Sequence, residues 1–260
     1  MKILIINGSP HKGNTWLLTQ HVKEFIYSFD KTINFSEIHL MDINIPFCTG
    51  CSNCFRKGHQ FCPHNNKIQP ILNSIENSDA IIFSVSCFQG HLTGVMKNFT
   101  DHIAFLIHRP RFFYKKAMII STTGGVSANS TTKALASTIA GWGFNKSYQL
   151  PIVALSWNAY KPTEKDLQKA KKVANEFYED VKSKIMHPPS IGVLIPFNLF
   201  QALCNSNNDY PTEDNNFWPK YIGMQYAPNI PLPFYKRILG KLIFLIGKHL
   251  SKKMIITYKK

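Results

Sequence analysis

Apolar runs of strand length recur along the first two thirds of the chain, at intervals that leave room for a helix between them. Strands buried on both faces carry near-continuous hydrophobic residues, so this pattern is typical of a parallel sheet covered by helices. It predicts five strands: Lys2–Asn7, Asn34–Leu40, Ala80–Ser86, Ala117–Thr122 and Ser147–Leu155. It predicts five helices between and after them: Asn14–Phe29, Lys67–Asn77, Thr93–His108, Ala128–Gly141 and Thr163–Ile185.

The regular alternation ends at His187-Pro188-Pro189, which predicts a first domain over residues 1–187 and a C-terminal extension over 188–260. The extension is rich in Pro, Asn, Tyr and Trp as far as about Pro233, and we expect it to be irregular there. Three of its aromatic residues are candidates to close over a neighbouring active site in a dimer: Trp218, Tyr221 and Tyr226.

The last segment, Phe234–Lys260, mixes apolar residues with Lys and Arg and contains no acidic residue. As a helix it would be amphipathic. Two interpretations stay open: its apolar face packs on the core or on a second subunit, or it makes weak peripheral contact with anionic lipid headgroups.

The composition is that of an ordinary globular protein, with 44% hydrophobic and 17% charged residues. The net charge of +15 suggests an anionic partner. The chain opens directly on a predicted strand rather than on an export leader, and its longest late apolar run, Leu242–Ile246, is far too short to span a bilayer. We therefore expect a cytoplasmic protein. No RRM, KH or zinc-finger pattern is present, so we expect no nucleic-acid partner.

The loop after the first predicted strand, Asn7 to Thr15, is rich in Gly, Ser and Asn and leads into a helix, for which Asn14 or Thr15 is the expected N-cap. Backbone N–H groups and the positive end of a helix dipole at such a place attract a phosphate. The spacing is neither the Walker pattern nor Gly-x-Gly-x-x-Gly, which argues against nucleotide hydrolysis and a Rossmann-type dehydrogenase.

Two further Gly-bearing loops follow the third and fourth strands, at Ser86–Gly90 and Thr122–Gly125. Ligands of open parallel sheets bind beyond the carboxyl ends of the strands, so the three loops define one crevice in which a flat ring could lie.

These three loops, in this order, resemble those of the NADPH-dependent FMN reductase family of flavodoxin-like proteins, over roughly Met1 to Ile185. The resemblance implies a doubly wound five-stranded parallel sheet of order 2-1-3-4-5. Family members commonly carry Ser-Pro-x-Tyr-x-Gly in the second loop; here Ser86 replaces the Pro and Phe88 the Tyr.

The resemblance also implies the cofactor and its contacts. FMN would be held at its phosphate by Ser9, Lys12, Asn14 and Thr15, and at its isoalloxazine by Ser86, Cys87, Phe88, Gln89, Gly90, Thr123, Gly124 and Gly125. The implied function is an NAD(P)H oxidoreductase, in a homodimer or larger assembly, that passes electrons to a small molecule or a redox protein. A non-enzymatic FMN electron carrier is the alternative.

Four cysteines cluster within fifteen positions: Cys48, Cys51, Cys54 and Cys62. A compact C-x2-C-x2-C with a fourth Cys nearby can hold a [4Fe–4S] cluster, and the motif resembles that of iron–sulfur flavoproteins. Structural or redox thiols and a zinc site are the alternatives, with His59 and His64 as substitute ligands. The two remaining cysteines, Cys87 and Cys204, are expected to be small, buried hydrophobic residues.

A signalling receiver shares this strand order but requires an acidic pair after the first strand and an Asp after the third. Asn7 and Ser86 occupy those regions, which excludes it.

Overall fold

The computed structural model describes residues 1–206 and 212–253. Its sheet has five parallel strands in the order β2-β1-β3-β4-β5. The strands are β1 Lys2–Asn7, β2 Asn34–His39, β3 Ala80–Ser84, β4 Lys116–Thr123 and β5 Lys146–Val153. The predicted doubly wound flavodoxin-like sheet is confirmed.

Eleven α-helices lie in the described ranges. Those up to the end of the sheet region are α1 Asn14–Phe29, α2 Leu40–Ile43, α3 Asn53–Arg56, α4 Asn65–Glu76, α5 Gly94–His102, α6 Phe105–His108, α7 Ala128–Gly141 and α8 Glu164–Ser183. The extension adds α9 Ile191–Ser206, α10 Thr212–Phe217 and α11 Phe234–Ser251. Short 3-10 helices occupy His59–Phe61 and Trp218–Tyr221.

Two strands, β3 and β5, end two residues earlier than predicted, because a pairing partner ends first. β1 stops at Asn7, opposite Ser84, so residues 85–87 keep ladder bonds only to β4, through the N–H groups of Val85 and Cys87. Likewise β5 stops at Val153, opposite the last residue of β4, before the predicted end at Leu155. The predicted helix Thr93–His108 is broken at Ile103, where the backbone leaves helical geometry between α5 and α6.

Adjacent residues of β1 face two separate hydrophobic clusters, one on each side of the sheet. Ile3 and Ile5 pack with α1 and α8, whereas Leu4 and Ile6 pack with α4, α5 and α7. This double burial explains why the strand is apolar at consecutive positions.

A third hydrophobic cluster lies in the extension, which is more helical than expected. Phe197 of α9 is its centre, with Trp218 at 5.0 Å and Tyr226 at 5.1 Å between ring centroids. The prediction that Trp218, Tyr221 and Tyr226 close over a neighbour's active site is wrong, because all three are buried within their own chain. The division into two domains stays a prediction.

Candidate functional site

Three loops meet at the carboxyl edge of the sheet, as the sequence predicts. Ser9 Oγ after β1 lies 2.9 Å from Ser86 Oγ after β3 and also accepts the Ser86 N–H at 3.0 Å. The Cys87 N–H after β3 donates to the Thr122 carbonyl of β4 at 3.0 Å. The loops therefore form the walls of one crevice.

The N-terminus of α1 opens into this crevice without a side-chain cap. The residue before the helix is Gly13, so the expectation that Asn14 or Thr15 caps it is wrong. The first N–H groups of a helix have no partner within the helix and carry its partial positive charge. An anion seated there would supply the missing acceptors, so this end of α1 fits the phosphate of FMN.

Buried hydroxyl groups line the same end of α1. Thr15 Oγ1 lies 2.9 Å from Ser86 Oγ and 2.6 Å from Thr122 Oγ1, and Ser9 completes the group through Ser86. Ser9 and Thr15 are almost completely buried, so each hydroxyl has a fixed position. The one sequence signal for Thr122 as a member of this group is its place at the end of a predicted strand.

The Asn14 side chain, expected to hold the FMN phosphate, makes different contacts in the structure. Its Nδ2 donates to the carbonyl oxygens of Ser156 and Trp157, both at 3.1 Å, and so ties the loop after β5 to α1. Lys12 is exposed at the mouth of the loop, with its Nζ 5.8 Å from the centroid of the Trp16 ring. No pattern in the sequence indicates that the loop after β5 joins the site.

The loop after β3 folds into a tight turn. Phe88 and His91 exchange backbone hydrogen bonds of 3.0 and 2.9 Å. Between them Gln89 and Gly90 both have positive φ, 51° and 74°, as in a type I′ turn. This geometry presents Phe88, which is 45% exposed, at the rim of the crevice. Cys87 is half-buried there, not fully buried as expected.

Thr123 ends β4, and Gly124 and Gly125 begin the loop after it. A Cβ at Gly124 would lie 2.5 Å from the Trp157 ring, whereas one at Gly125 would meet no atom within 4 Å. Trp157 itself is 88% exposed, and its ring fills the space beside Gly124. The open space beside Gly125 leaves room for a flat ring, so this part of the loop fits the isoalloxazine of FMN.

The four clustered cysteines line a separate cavity of about 330 Å³, together with residues of α5. Burial, together with a smaller effect of the neighbouring thiols, raises the pKa of the Cys54 thiol to about 11. Burial also raises the pKa of Cys62. Without a bound cation these two thiols stay protonated at neutral pH; a metal centre would supply the charge that stabilises their thiolates.

The spacing of the thiols bears on what the cavity could hold. One tetrahedral zinc ion would bring thiolate sulfurs to about 3.8 Å from one another. In residues 1–206 and 212–253, one group of three potential metal ligands has its ligand atoms within 4.8 Å of one another: Cys62, His64 and His102. No three cysteine sulfurs in these ranges are therefore that close. The four-cysteine arrangement therefore fits a larger inorganic centre better than a single ion.

Of the two histidines named from the sequence, only His64 lies beside a cysteine. Its Nδ1 is 3.0 Å from Nε2 of the buried His102, whose Nδ1 lies 2.9 Å from the Asn98 carbonyl. His59 instead stacks on Phe105, with ring centroids 4.9 Å apart.

A buried charge network joins the cysteine loop to the extension. Arg109 donates from Nη2 to the Cys54 carbonyl and from Nη1 to Asp214 of α10, and His108 Nδ1 lies 2.8 Å from the other oxygen of Asp214. Asp214 is fully buried. Beside it, half-buried Cys204 donates to Asn215 Oδ1 at 2.9 Å, so it is not the apolar residue expected from the sequence. These long-range contacts had no signal in the sequence.

Helix α5 touches both sites. Its N-cap, Thr93, donates to the Gly8 carbonyl in the first loop, and its Asn98 accepts the Cys48 N–H at 3.1 Å. At 1.5 Å per residue, Asn98 and His102 lie about 8 and 14 Å along the axis from Thr93. The crevice and the cysteine cavity are thus held at a fixed short separation.

The chain resembles known proteins both in sequence and in fold. The sequence profile of the NADPH-dependent FMN reductase family matches residues 1–153. An iron–sulfur flavoprotein of Clostridioides difficile is 27% identical over 208 residues, covering 78% of this chain and 89% of the relative. One from Archaeoglobus fulgidus is 36% identical over 101 residues, covering 39% and 48%.

Among solved structures, an FMN-dependent NADH-azoreductase from Bacillus anthracis in complex with FMN superimposes with a TM-score of 0.50 at 15% identity, over 70% of this chain and 98% of that one. At that identity the likeness shows the fold alone. The family profile, in contrast, spans more than half of the chain and includes the first strand, the uncapped helix and all three loops. The chain belongs to the NADPH-dependent FMN reductase family.

Proposed function

We propose that this protein is an FMN-dependent NAD(P)H oxidoreductase that passes reducing equivalents to a small-molecule or protein acceptor. The observation that carries the proposal is the uncapped N-terminus of α1, where the hydroxyls of Ser9, Thr15 and Ser86 converge. That combination recognises a dianionic group at one end of an open crevice.

The phosphate would be held by the backbone N–H groups of the first turn of α1 and by the hydroxyls of Ser9 and Thr15. Asn14 contributes its backbone N–H, since its side-chain amide holds the loop after β5. Lys12, exposed at the mouth, adds a positive charge that attracts the anion before it is bound.

The flat ring would lie between the loop Ser86–Gly90 and the turn Thr123–Gly125, with Trp157 able to cover it from the solvent side. FMN, when bound, supplies the redox chemistry: it accepts two electrons from a reduced nicotinamide and releases them singly or together. The chain's own residues bind the cofactor, fix the orientation of its ring and limit access of water. No nucleophile or catalytic carboxylate pair is needed for these tasks.

We further propose that Cys48, Cys51, Cys54 and Cys62 hold a [4Fe–4S] cluster. The supporting observations are the 330 Å³ cavity that the four residues share, the position of α5 between the cavity and the crevice, and the absence, among the residues described, of three cysteine sulfurs within 4.8 Å of one another. A cluster at that place would give electrons a route between FMN and an acceptor at the surface, where Cys48 is exposed.

The absorption spectrum and turnover of anaerobically purified protein test the first proposal. Flavin bands together with NADH or NADPH oxidation at catalytic rates support it. Flavin bands without nicotinamide oxidation would favour the electron-carrier alternative, and a colourless protein that cannot be reconstituted with FMN would contradict both.

Iron content tests the second proposal separately. We expect about four irons per chain after anaerobic reconstitution, and loss of iron in Cys51→Ser but not in Cys87→Ser, which lies outside the cavity. Retention of full iron by Cys51→Ser would contradict the assignment. Light scattering tests the remaining prediction of a homodimer or larger assembly.

A further inference from the structure

Helix α11 exposes a continuous apolar face. Phe234, Ile238, Leu242 and Leu245 follow one another at helical spacing, and their exposed fractions are 77%, 46%, 51% and 61%. Ile246 widens the face, at 56%. Single exposed apolar residues are common on soluble proteins, but a row of this length along one helix marks an interaction surface.

The opposite face of α11 is already used for packing. A Cβ at Gly240 would lie 2.7 Å from Gln225 Cβ, and one at Gly247 would lie 2.7 Å from Ala202 Cβ, so both glycines permit close approach to the body of the extension. Ile243, between them, is buried. The apolar row is therefore not a core face left exposed by chance; the helix docks through its small residues and turns the large ones outward.

Cations flank the apolar face along one edge. Arg237, Lys241 and Lys248 follow at spacings of four and seven residues, which places them in one row beside Phe234 and Leu245. All three are exposed, and α11 contains no Asp or Glu. The whole chain carries a formal charge of +15. A large apolar face with a basic edge is the pattern of helices that lie in the interface of an anionic bilayer.

We propose that α11 is a membrane-surface anchor that seats its apolar face among the headgroups of anionic lipids. A second copy of the chain fits the surface less well, because a symmetric pair uses the same patch on both partners and this patch offers cations but no acids to complement them. Among residues 1–206 and 212–253, no helix combines the length and hydropathy that a bilayer-spanning segment requires, so the contact would be peripheral.

Sedimentation of the full-length protein with vesicles tests the anchor. Vesicles of phosphatidylglycerol and phosphatidylcholine in equal parts should bind the protein at least tenfold more strongly than phosphatidylcholine alone, and binding should fall as salt is raised. Leu242→Gln/Leu245→Gln should weaken binding more than tenfold. Lys241→Gln/Lys248→Gln should also do so, because each cation near an anionic surface strengthens binding roughly fivefold.

Matched controls carry equal changes elsewhere on the surface. Lys171→Gln/Lys172→Gln on α8 and Tyr27→Gln/Ile185→Gln should bind like the unmodified protein, and circular dichroism checks that every variant folds. Equal binding to both vesicle types, or no effect of the α11 variants, would overturn the proposal. So would absence of vesicle binding together with a dimer that Leu242→Gln/Leu245→Gln converts to a monomer, since the face would then join two copies.

Discussion

The crevice and the cysteine cavity lie at the two ends of one short helix, yet they are built in different ways. The crevice follows from the sheet: β1, β3 and β4 end side by side, and their loops are joined by short hydrogen bonds among hydroxyls and backbone groups. The cavity lies in a long excursion between β2 and β3, and its shape depends on contacts with distant parts of the chain.

The crevice and the cavity should therefore respond differently to substitutions in the extension. The crevice is supported by the hydrophobic clusters on both faces of the sheet and should persist when the extension is perturbed. The cavity is attached to the extension by the buried pair of Arg109 and Asp214, and should be lost with it. A substitution that weakens the Arg109–Asp214 pair but not the hydrophobic clusters of the sheet should therefore affect the cavity and spare the crevice.

The largest effect is expected for Asp214→Asn. Removing this charge leaves Arg109 buried without its partner, which typically costs about 3–5 kcal/mol of unfolding free energy. Urea unfolding measures the loss. Iron loading should fall sharply while FMN affinity changes little, because Arg109 also holds the Cys54 carbonyl.

Glu213→Gln on the same helix is the matched control and should change both properties only slightly. Unchanged iron content in Asp214→Asn, or equal loss of FMN and iron, would show that the two sites do not have separate supports.

An intermediate effect, with a pH dependence, is expected for Asp180→Asn, which breaks the polar contacts that join α8 to Lys116 and Tyr148 of the sheet and to His187. Burial raises the pKa of Asp180, but hydrogen bonds with His187, Lys116 and Tyr148 outweigh it and leave the pKa below its usual range. A lowered carboxyl pKa stabilises the fold above about pH 4 and loses that contribution as pH falls through the folded-state pKa.

We therefore expect Asp180→Asn to lose about 3 kcal/mol at pH 7, since Lys116 is buried at 2% exposure, and progressively less below pH 4. Unfolding at a series of pH values checks this. The exposed pair of Lys97 and Asp101 supplies the control: Asp101→Asn should cost less than about 1 kcal/mol at any pH. A loss in Asp180→Asn that does not depend on pH would contradict the charge-based account.

The smallest effect concerns the crevice itself. A Cβ at Gly8 would lie 2.9 Å from Met96 Cβ in the core, so Gly8→Ala should cost about 1–3 kcal/mol and weaken FMN binding. Gly124→Ala is the comparison: its Cβ meets the exposed Trp157 ring, which can turn away, so stability should change by less than about 0.5 kcal/mol. Equal losses in thermal unfolding would mean that the first loop is not fixed by packing.

The sequence was sufficient for the sheet because its strands carry continuous apolar runs, such as Ile3 to Ile6, that only double burial explains. The crevice followed from the position of the Gly-bearing loops after those strands. Element ends were less predictable, since the end of β3 depends on where its partner β1 stops.

The parts that sequence reasoning missed depend on contacts between distant residues. Asn14 reads as a helix cap, but it binds carbonyls 142 and 143 positions away. Asp214 reads as an ordinary surface acid in a polar stretch, yet it is fully buried against Arg109. Similarly, Ile243 and Leu242 are neighbours of equal hydrophobicity, and only the packing of α11 decides which is buried.

The central claim is that a dianionic phosphate binds at the N-terminus of α1, and the ratio of FMN to riboflavin affinity tests it most directly, because the two ligands differ only in that group. We expect the unmodified protein to prefer FMN by more than a hundredfold. Thr15→Val should reduce the preference roughly tenfold or more through loss of a charge-assisted hydrogen bond. Thr19→Val, whose hydroxyl bonds the Thr15 carbonyl one turn further along, should not. Equal affinity for FMN and riboflavin, or a preference that Thr15→Val leaves unchanged, would contradict the account.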